Sequence, residues 1–169
     1  EEKDFPLQSI SSGAMKPPVC DKGWWVIMAI KKVIIPVDGS GASENAFHTG
    51  IELAEKYGAE ILLLNVVDAT EMIDPINKMM ISDEYRKAIK EKGEELLASL
   101  AAEIPKAVSH KEMVLIGVPG PMIAGLANKD EDTAVVVGNS GKSSLSSFIM
   151  GSVSQYAVHH CKGPVVIVK

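Results

Sequence analysis

Short apolar runs alternate with amphipathic stretches between residues 33 and 168. The runs are rich in β-branched residues, which is typical of strands buried on both faces of a parallel sheet. Between the runs, apolar residues recur every three or four positions, which predicts helices. This alternation predicts an α/β fold whose sheet is mostly parallel, with helices on both faces. The five predicted strands are Val33–Val37, Ile61–Val67, Lys111–Ile116, Thr133–Val137 and Val165–Val168.

Capping and helix-breaking residues set the predicted bounds of the first two helices. Ser43 is the expected N-cap of the first helix, and Gly58 is expected to end it. Ser82 is the expected N-cap of the second helix, which Pro105 is expected to end. Residues 68–81 are predicted to form a loop, long enough to suggest a lid or a partner surface.

A glycine- and serine-rich stretch follows the fourth predicted strand. Gly138 and Gly141 come first, and Gly151-Ser152 opens a helical pattern, so the spacing is Gly-x2-Gly-x9-Gly-Ser. Glycine accepts positive φ and has no side chain to block approach, so successive N–H groups can converge on one anion. A helix start adds N–H groups and a dipole that favours negative charge. We therefore predict a polyphosphate cradle, to which further donors would come from Lys142, Ser143, Ser144 and Ser152.

The glycine- and serine-rich stretch has two alternative interpretations. It could be a surface loop that binds nothing, since glycine often follows a strand. It could also be a Walker A loop, because Gly141-Lys142-Ser143 looks like the end of that motif. The Walker motif requires glycine at position 136, where this chain has Val136, and we reject it.

The spacing Gly138-x2-Gly141-x9-Gly151-Ser152 resembles the ATP-binding signature of the universal stress protein family. Two strand texts are similar to that family as well, VIIPVDGS at residues 33–40 and ILLLNVVD at residues 61–68. The resemblance covers residues 30–169 and implies a Rossmann-like fold with the parallel strand order 3-2-1-4-5. It also implies an ATP-binding, regulatory or stress-response role, with Mg or Mn bound through the phosphates.

In that order, the sheet has its switch point between strands one and four, where ligands of open α/β sheets bind. Asp38 ends strand one and Gly138 ends strand four, so both motifs are expected at one crevice. The resemblance implies that Asp38 meets the ribose or the adenine amino group and that the Val66 backbone meets the adenine edge. The alternatives are a turn aspartate that satisfies its own backbone and a core valine. The full set of implied nucleotide-binding residues is Pro36, Val37, Asp38, Ser40, Val66, Val137, Gly138, Asn139, Ser140, Gly141, Lys142, Ser143, Gly151, Ser152 and Val153.

Composition narrows the classes of partner and the compartment. The chain of 169 residues carries a net charge of −5 and has no basic stripe, which argues against nucleic acid. No apolar run approaches the length of a membrane span, and two cysteines without a framework suit a reducing cytoplasm. Residues 1–28 are predicted to be an N-terminal extension, or a segment added for expression, outside a domain at 29–169.

The apolar last strand is expected at a sheet edge, where it would pair antiparallel with a second copy and form a homodimer. Universal stress proteins commonly dimerise in this way. The alternative is that the N-terminal segment, with Trp24 and Trp25, covers this edge.

No catalytic constellation and no metal-ligand spacing stand out among the four histidines and two cysteines. We therefore predict a nucleotide-binding protein with at most slow ATP hydrolysis. The alternatives are a slow ATPase or phosphotransfer enzyme of similar fold, and an interaction module that does not use nucleotide. An enzyme would need a further acid, base or metal cluster, and a module without nucleotide would be expected to have broken glycines.

Overall fold

The computed structural model describes residues 29–68, 82–140 and 150–169. The predicted extension at 1–28 and residues 69–81 and 141–149 lie outside these ranges, so of the predicted 68–81 loop only Asp68 is described, and it belongs to a strand. Strands and helices alternate along the described chain. In order they are β1 (Lys32–Pro36), α1 (Gly41–Tyr57), β2 (Glu60–Asp68), α2 (Asp83–Ala101), β3 (His110–Gly117), α3 (Pro119–Ala127), β4 (Thr133–Gly138), α4 (Ser152–His160) and β5 (Val165–Val168).

All five strands form one parallel sheet in the order β3-β2-β1-β4-β5. This confirms the predicted fold and the strand order that the family resemblance implied. Successive strands build outward from β1 in one direction as far as β3, and the chain then crosses to β4 on the other side of β1. The switch point therefore lies between β1 and β4.

Two hydrophobic cores cover the two faces of the sheet. On one face, Phe47 of α1 and Leu97 of α2 pack against β1 and β2 residues such as Ile35 and Leu63. On the other face, Ile123 of α3 packs with Ile34, Leu64, Val135 and neighbouring residues. Strand residues of alternating parity belong to opposite cores, as expected for strands buried on both faces.

The first helix begins three residues earlier than the sequence predicted. Ser40 is its N-cap, and the Ser40 hydroxyl accepts a hydrogen bond from the Ser43 N–H at 3.3 Å. Ser43 is instead buried inside the first turn, where its own hydroxyl donates to the Ser40 carbonyl at 2.8 Å. The choice of Ser43 was wrong because two serines stand within capping distance, and sequence spacing alone does not separate them.

The other predicted caps were partly right. Gly58 ends α1 in the left-handed conformation with φ of 63°, as predicted. Ser82 caps α2, and its side chain accepts from the Tyr85 N–H. The helix itself ends at Ala101, four residues before Pro105, because a turn follows in which the Ile104 N–H donates to the Ala101 carbonyl.

Candidate functional site

β1 and β4 separate from each other at the carboxyl end of the sheet. They pair only at Lys32↔Thr133, Val33↔Ala134 and Ile34↔Val135, whereas β4 continues beside β5 as far as Gly138↔Val168. A crevice therefore opens beyond Ile34. Its two walls are the β1 exit turn, residues 38–40, and the β4 exit turn, residues 138–140.

The two exit turns are close together in the folded chain. A Cβ atom added at Gly138 would lie 2.7 Å from both the carbonyl carbon and the carbonyl oxygen of Ala42, in the first turn of α1. The end of β4 thus packs directly against the helix that follows β1. The structure thus brings Gly138 against the helix that begins directly after the β1 exit turn, which agrees with the topology.

The β1 exit turn is stabilised by hydrogen bonds from the side chains of its own residues. The Asp38 Oδ1 atom accepts from the Ser40 N–H at 3.0 Å and from the Ser40 hydroxyl at 2.6 Å. Gly39, between them, has φ of 78°, a conformation that favours glycine. Asp38 is therefore an Asx-turn aspartate as well as a half-buried carboxylate at the crevice.

Main-chain bonds to two other elements organise the β4 exit turn. The Asn139 N–H donates to the Val168 carbonyl of β5 at 2.7 Å. The Asn139 carbonyl accepts from the Gly151 N–H at 2.7 Å and from the Ser154 hydroxyl at 3.3 Å. The start of α4 is thereby fixed against the end of β4. The Ser140 hydroxyl donates to Asn139 Oδ1 at 3.2 Å.

The expectation that Gly151 offers a free N–H group was wrong, because Asn139 accepts its hydrogen bond. The N–H groups of the next two residues, Ser152 and Val153, differ from that of Gly151. Gly151 is the N-cap of α4 and gives no side-chain cap. Within the described ranges, nothing accepts from the N–H groups of Ser152 and Val153. These two amides at the helix start are the backbone donors that the described part of the stretch leaves available, and such donors are suited to an anion.

Close packing, rather than positive φ, explains why glycine stands at positions 138 and 151. Among the described residues, only Gly39 and Gly58 have positive φ. Gly151 has φ of −64°, and a Cβ there would lie 3.3 Å from the Ser140 Cα. The positive φ expected of the glycines after the strand was therefore wrong for Gly138.

The main chain of Val66 faces the β1 side of β2. The Glu60 N–H donates to Lys31 and the Ile61 N–H donates to Ser109, so even-numbered residues of β2 face β1 and odd-numbered residues face β3. The paired register of β1 and β2 ends at Pro36↔Leu64. Val66 thus lies beyond the last pair, and its N–H and C=O groups face the side on which β1 has already ended.

Asn65, beside Val66, is the residue at this site that the sequence argument missed. Its Nδ2 atom donates to the Val37 carbonyl at 2.8 Å, and only 8% of the residue is exposed. The available signal was a single polar residue within the apolar run ILLLNVV. A polar side chain buried in a strand requires a hydrogen-bond partner, and the end of β1 is the nearest irregular backbone.

The remaining predicted site residues divide into three groups. Pro36, Val37 and Val137 lie in or directly after buried strands, so their side chains belong to the core or its border and only their backbones reach the crevice. Val153 packs against the core formed with α3. The predicted donors that lie outside the described residues are Gly141, Lys142, Ser143 and Ser144.

The described residues hold no cluster of three or more His, Cys, Asp or Glu side chains that could bind a metal ion. Burial raises the pKa of the Cys161 thiol, which lowers its thiolate fraction. None of the helices in the described ranges is long and apolar enough to cross a membrane.

Three comparisons with known proteins agree with this architecture. The model of the universal stress protein family matches residues 29–169. The chain is 33% identical over 144 residues to universal stress protein MJ0531 of Methanocaldococcus jannaschii, and the match covers 82% of each chain. Its fold is similar to that of protein MJ0577 of the same organism, with a TM-score of 0.72 and 23% identity, covering 83% of this chain and 96% of that one.

The universal stress protein from Archaeoglobus fulgidus, solved in complex with dAMP, has a similar fold as well. The TM-score is 0.55 at 20% identity, and the match covers 85% of this chain and 100% of that chain.

Proposed function

The chain belongs to the universal stress protein family, and on that premise we propose that it binds an adenine nucleotide, ATP, between the β1 and β4 exit turns. One observation carries the proposal. The Asp38 carboxylate and the first-turn amides of α4 stand on opposite walls of one crevice. The carboxylate suits the hydroxyl and amino donors of a nucleoside, and the amides suit phosphate. The dAMP complex of the Archaeoglobus fulgidus neighbour supports an adenine nucleotide.

The phosphate end of the ligand would lie at the start of α4. The N–H groups of Ser152 and Val153 point out of the first helical turn, where the helix dipole also favours an anion. The Ser140 hydroxyl is adjacent, since the β4 exit turn holds the helix start. Gly141, Lys142 and Ser143 belong to the same motif and would add donors from residues outside the described ranges.

The nucleoside end would lie between the β1 exit turn and β2. Val66 presents one donor, its N–H, and one acceptor, its C=O, beyond the last β1 pair. That combination complements the adenine edge, which carries one ring acceptor beside an amino donor. Asp38 would accept from a ribose hydroxyl or from the amino group, while its turn keeps the carboxylate in place.

A Mg²⁺ or Mn²⁺ ion, if bound, would be held mainly by the phosphate oxygens and would neutralise part of their charge. The phosphate end of the crevice is compatible with such an ion, since the Ser140 hydroxyl there offers a hard oxygen atom. The protein's own part is to bind and orient the nucleotide. The role is regulatory, in which occupancy of the site is the signal, with at most slow hydrolysis.

The proposal includes a homodimer that forms through β5. β5 is an edge strand whose four residues are all apolar. Ile167 is 37% exposed, although it belongs to a strand of the central sheet. An apolar edge invites pairing, and antiparallel pairing with a second copy satisfies its unpaired backbone groups symmetrically.

Calorimetric titration of the purified protein with ATP tests the proposal, with mass spectrometry of any ligand released on denaturation as a second measurement. We expect saturable binding of ATP and weaker binding of GTP, whose base carries the reverse donor–acceptor pattern at its edge. Absence of adenine-nucleotide binding would favour the interaction module. Phosphate release at many turnovers per minute would favour the enzyme.

A further inference from the structure

Asn65 is a buried amide in the middle of an apolar strand. It stands between Leu64 and Val66 in β2, and 8% of the residue is exposed. Burial of an amide is unfavourable unless it is hydrogen-bonded. The Asn65 Nδ2 atom meets that requirement by donating to the Val37 carbonyl, one residue past the end of β1, at 2.8 Å.

In a regular parallel ladder, a main-chain N–H group would donate to the Val37 carbonyl. In a parallel ladder, a residue that donates to one residue of its neighbour accepts from the residue two positions further along. The Val37 N–H donates to the Leu64 carbonyl at 2.8 Å. The regular partner of the Val37 carbonyl would therefore be the Val66 N–H. The structure has the Asn65 side chain there instead, and in the described ranges no backbone bond joins Val66 to β1.

We infer that Asn65 is a positioning residue, which satisfies the Val37 carbonyl in place of Val66 and so keeps the Val66 N–H available to a ligand. The inference rests on the proposed function for its ligand, an adenine nucleotide. It also explains why the β1 exit turn begins where it does. With its carbonyl satisfied by a side chain, Val37 can leave the ladder and direct Asp38 into the crevice.

Gly93 in α2 provides the space that this arrangement needs. A Cβ atom at Gly93 would lie 2.8 Å from the Asn65 Oδ1 atom and 3.0 Å from the Val114 Cγ1 atom. Gly93 is buried in the interior of a 19-residue helix, where glycine has a poor intrinsic propensity. Glycine therefore stands at a position of α2 that packs against the amide, despite its low helix propensity.

The first test replaces the amide by an apolar side chain of similar size, Asn65→Leu. We expect affinity for ATP and for adenosine to fall about tenfold, as for a lost hydrogen bond in a buried site, and affinity for inorganic triphosphate to stay unchanged. Unchanged affinity for ATP, or an equal loss for triphosphate, would overturn the inference.

Hydrogen exchange of the Val66 amide, followed by NMR without ligand, gives a readout that a general loss of stability would not produce. In the wild-type protein we expect Val66 to exchange faster than Leu64. In Asn65→Leu the Val66 N–H should bond to Val37 and exchange more slowly. General destabilisation predicts the opposite sign, and faster exchange at Val66 in the variant would contradict us.

Gly93→Ala tests the same contact from α2 and serves if Asn65→Leu does not fold. The added methyl group should displace the amide and weaken ATP binding on the order of threefold, while triphosphate binding stays the same. Gly125→Ala in α3 is the matched control, because a Cβ there meets nothing within 4 Å. It should bind ATP like the wild-type protein. Equal affinities for both glycine variants would overturn the inference.

The two proposals fail separately. A wild-type protein that does not bind ATP disproves the proposed function, and the exchange rates of Val66 then decide the role of Asn65 alone. A wild-type protein that binds ATP as tightly as Asn65→Leu and Gly93→Ala disproves the role of Asn65 and leaves the proposed function intact.

Discussion

The β1 exit turn is held by side chains, whereas the β4 exit turn across the crevice is held by main chain. In the first, Asp38, Ser40 and Ser43 bond to one another within six residues of sequence. In the second, Asn139 bonds through its backbone to β5 and to the start of α4. Serine and aspartate side chains are necessary in one turn, whereas glycine at positions 138 and 151 is necessary in the other.

The difference determines how each turn responds to substitution. A side-chain network loses single hydrogen bonds, and the loss stays local. A main-chain junction packed at glycine moves whole elements when an atom is added, because Gly138 touches α1 and Gly151 touches the β4 exit turn. We therefore expect the largest effects on the β4 side of the crevice.

Gly151→Val should have the largest effect. Its Cβ would lie 3.3 Å from the Ser140 Cα, and the branched side chain would separate the start of α4 from the β4 exit turn. We expect ATP affinity to fall about 100-fold, or about 2.7 kcal/mol, with the overall fold retained. Calorimetry and far-ultraviolet circular dichroism measure the two quantities. Wild-type affinity in the folded variant would disprove the phosphate cradle.

Gly138→Ala should mainly lower stability. The added methyl group would meet main-chain atoms of Ala42 at 2.7 Å, and backbone cannot rotate away as a side chain can. We expect a loss of about 2 kcal/mol in the free energy of unfolding, measured with urea. Gly125→Ala, with open space around it, is the control. Equal stability of the two variants would show that the β4 exit turn is no more rigid than the surface.

Asp38→Ala should weaken binding of ATP more than binding of inorganic triphosphate. The loss of a hydrogen bond to the carboxylate is worth about 1 to 2 kcal/mol. Because Asp38 also accepts from Ser40, the alanine variant should lose some stability too. Asp38→Asn keeps an oxygen acceptor for the turn and separates the two roles. Equal losses for ATP and triphosphate would mean that Asp38 acts on the phosphates or a metal ion.

The β4 exit turn bonds to β5, and the outer edge of β5 is the proposed dimer contact. We expect Ile167→Lys to convert a dimer to a monomer in light scattering, since a charge on an edge strand blocks pairing. Met113→Lys on β3, the opposite edge, is the control and should remain dimeric. Removal of residues 1–27 should leave the dimer unchanged. A monomer that dimerises only after this truncation would favour an edge covered by Trp24 and Trp25.

The smallest effect is expected at the other end of the same two strands. Lys31 before β1 and Asp132 before β4 form an exposed ion pair. The hydrogen bond from Lys31 lowers the pKa of Asp132, so its contribution is present above the ordinary aspartate pKa and disappears as pH falls through the lowered value. Asp132→Asn should leave both the stability at pH 7 and the ATP affinity nearly unchanged, because water screens a surface ion pair. A change in affinity would mean that the crevice is coupled to the far end of the sheet.

The sequence was sufficient for the strands, because buried β-branched runs are local signals, whereas the strand order came from the family resemblance. It was not sufficient for contacts between distant residues. Ser40 and Ser43 are equally good caps by composition, and only the path of Asp38 separates them. The reason for glycine at position 138 is Ala42, almost a hundred residues earlier in the chain. Asn65 was visible as a polar residue, but its partner depended on where β1 stops.

The short seam between β1 and β4 has a consequence for the mechanics of the molecule. Only three residue pairs join these strands, whereas β2 and β3 are paired from Ile61↔His110 to Asp68↔Gly117. The seam is also the pairing that closes the longest stretch of chain, so it should form late in folding and yield early under tension. A nucleotide that contacts both exit turns would link β1 to β4 and so stabilise their pairing. Pulled from its two ends, the liganded protein should therefore break at a higher force than the empty one.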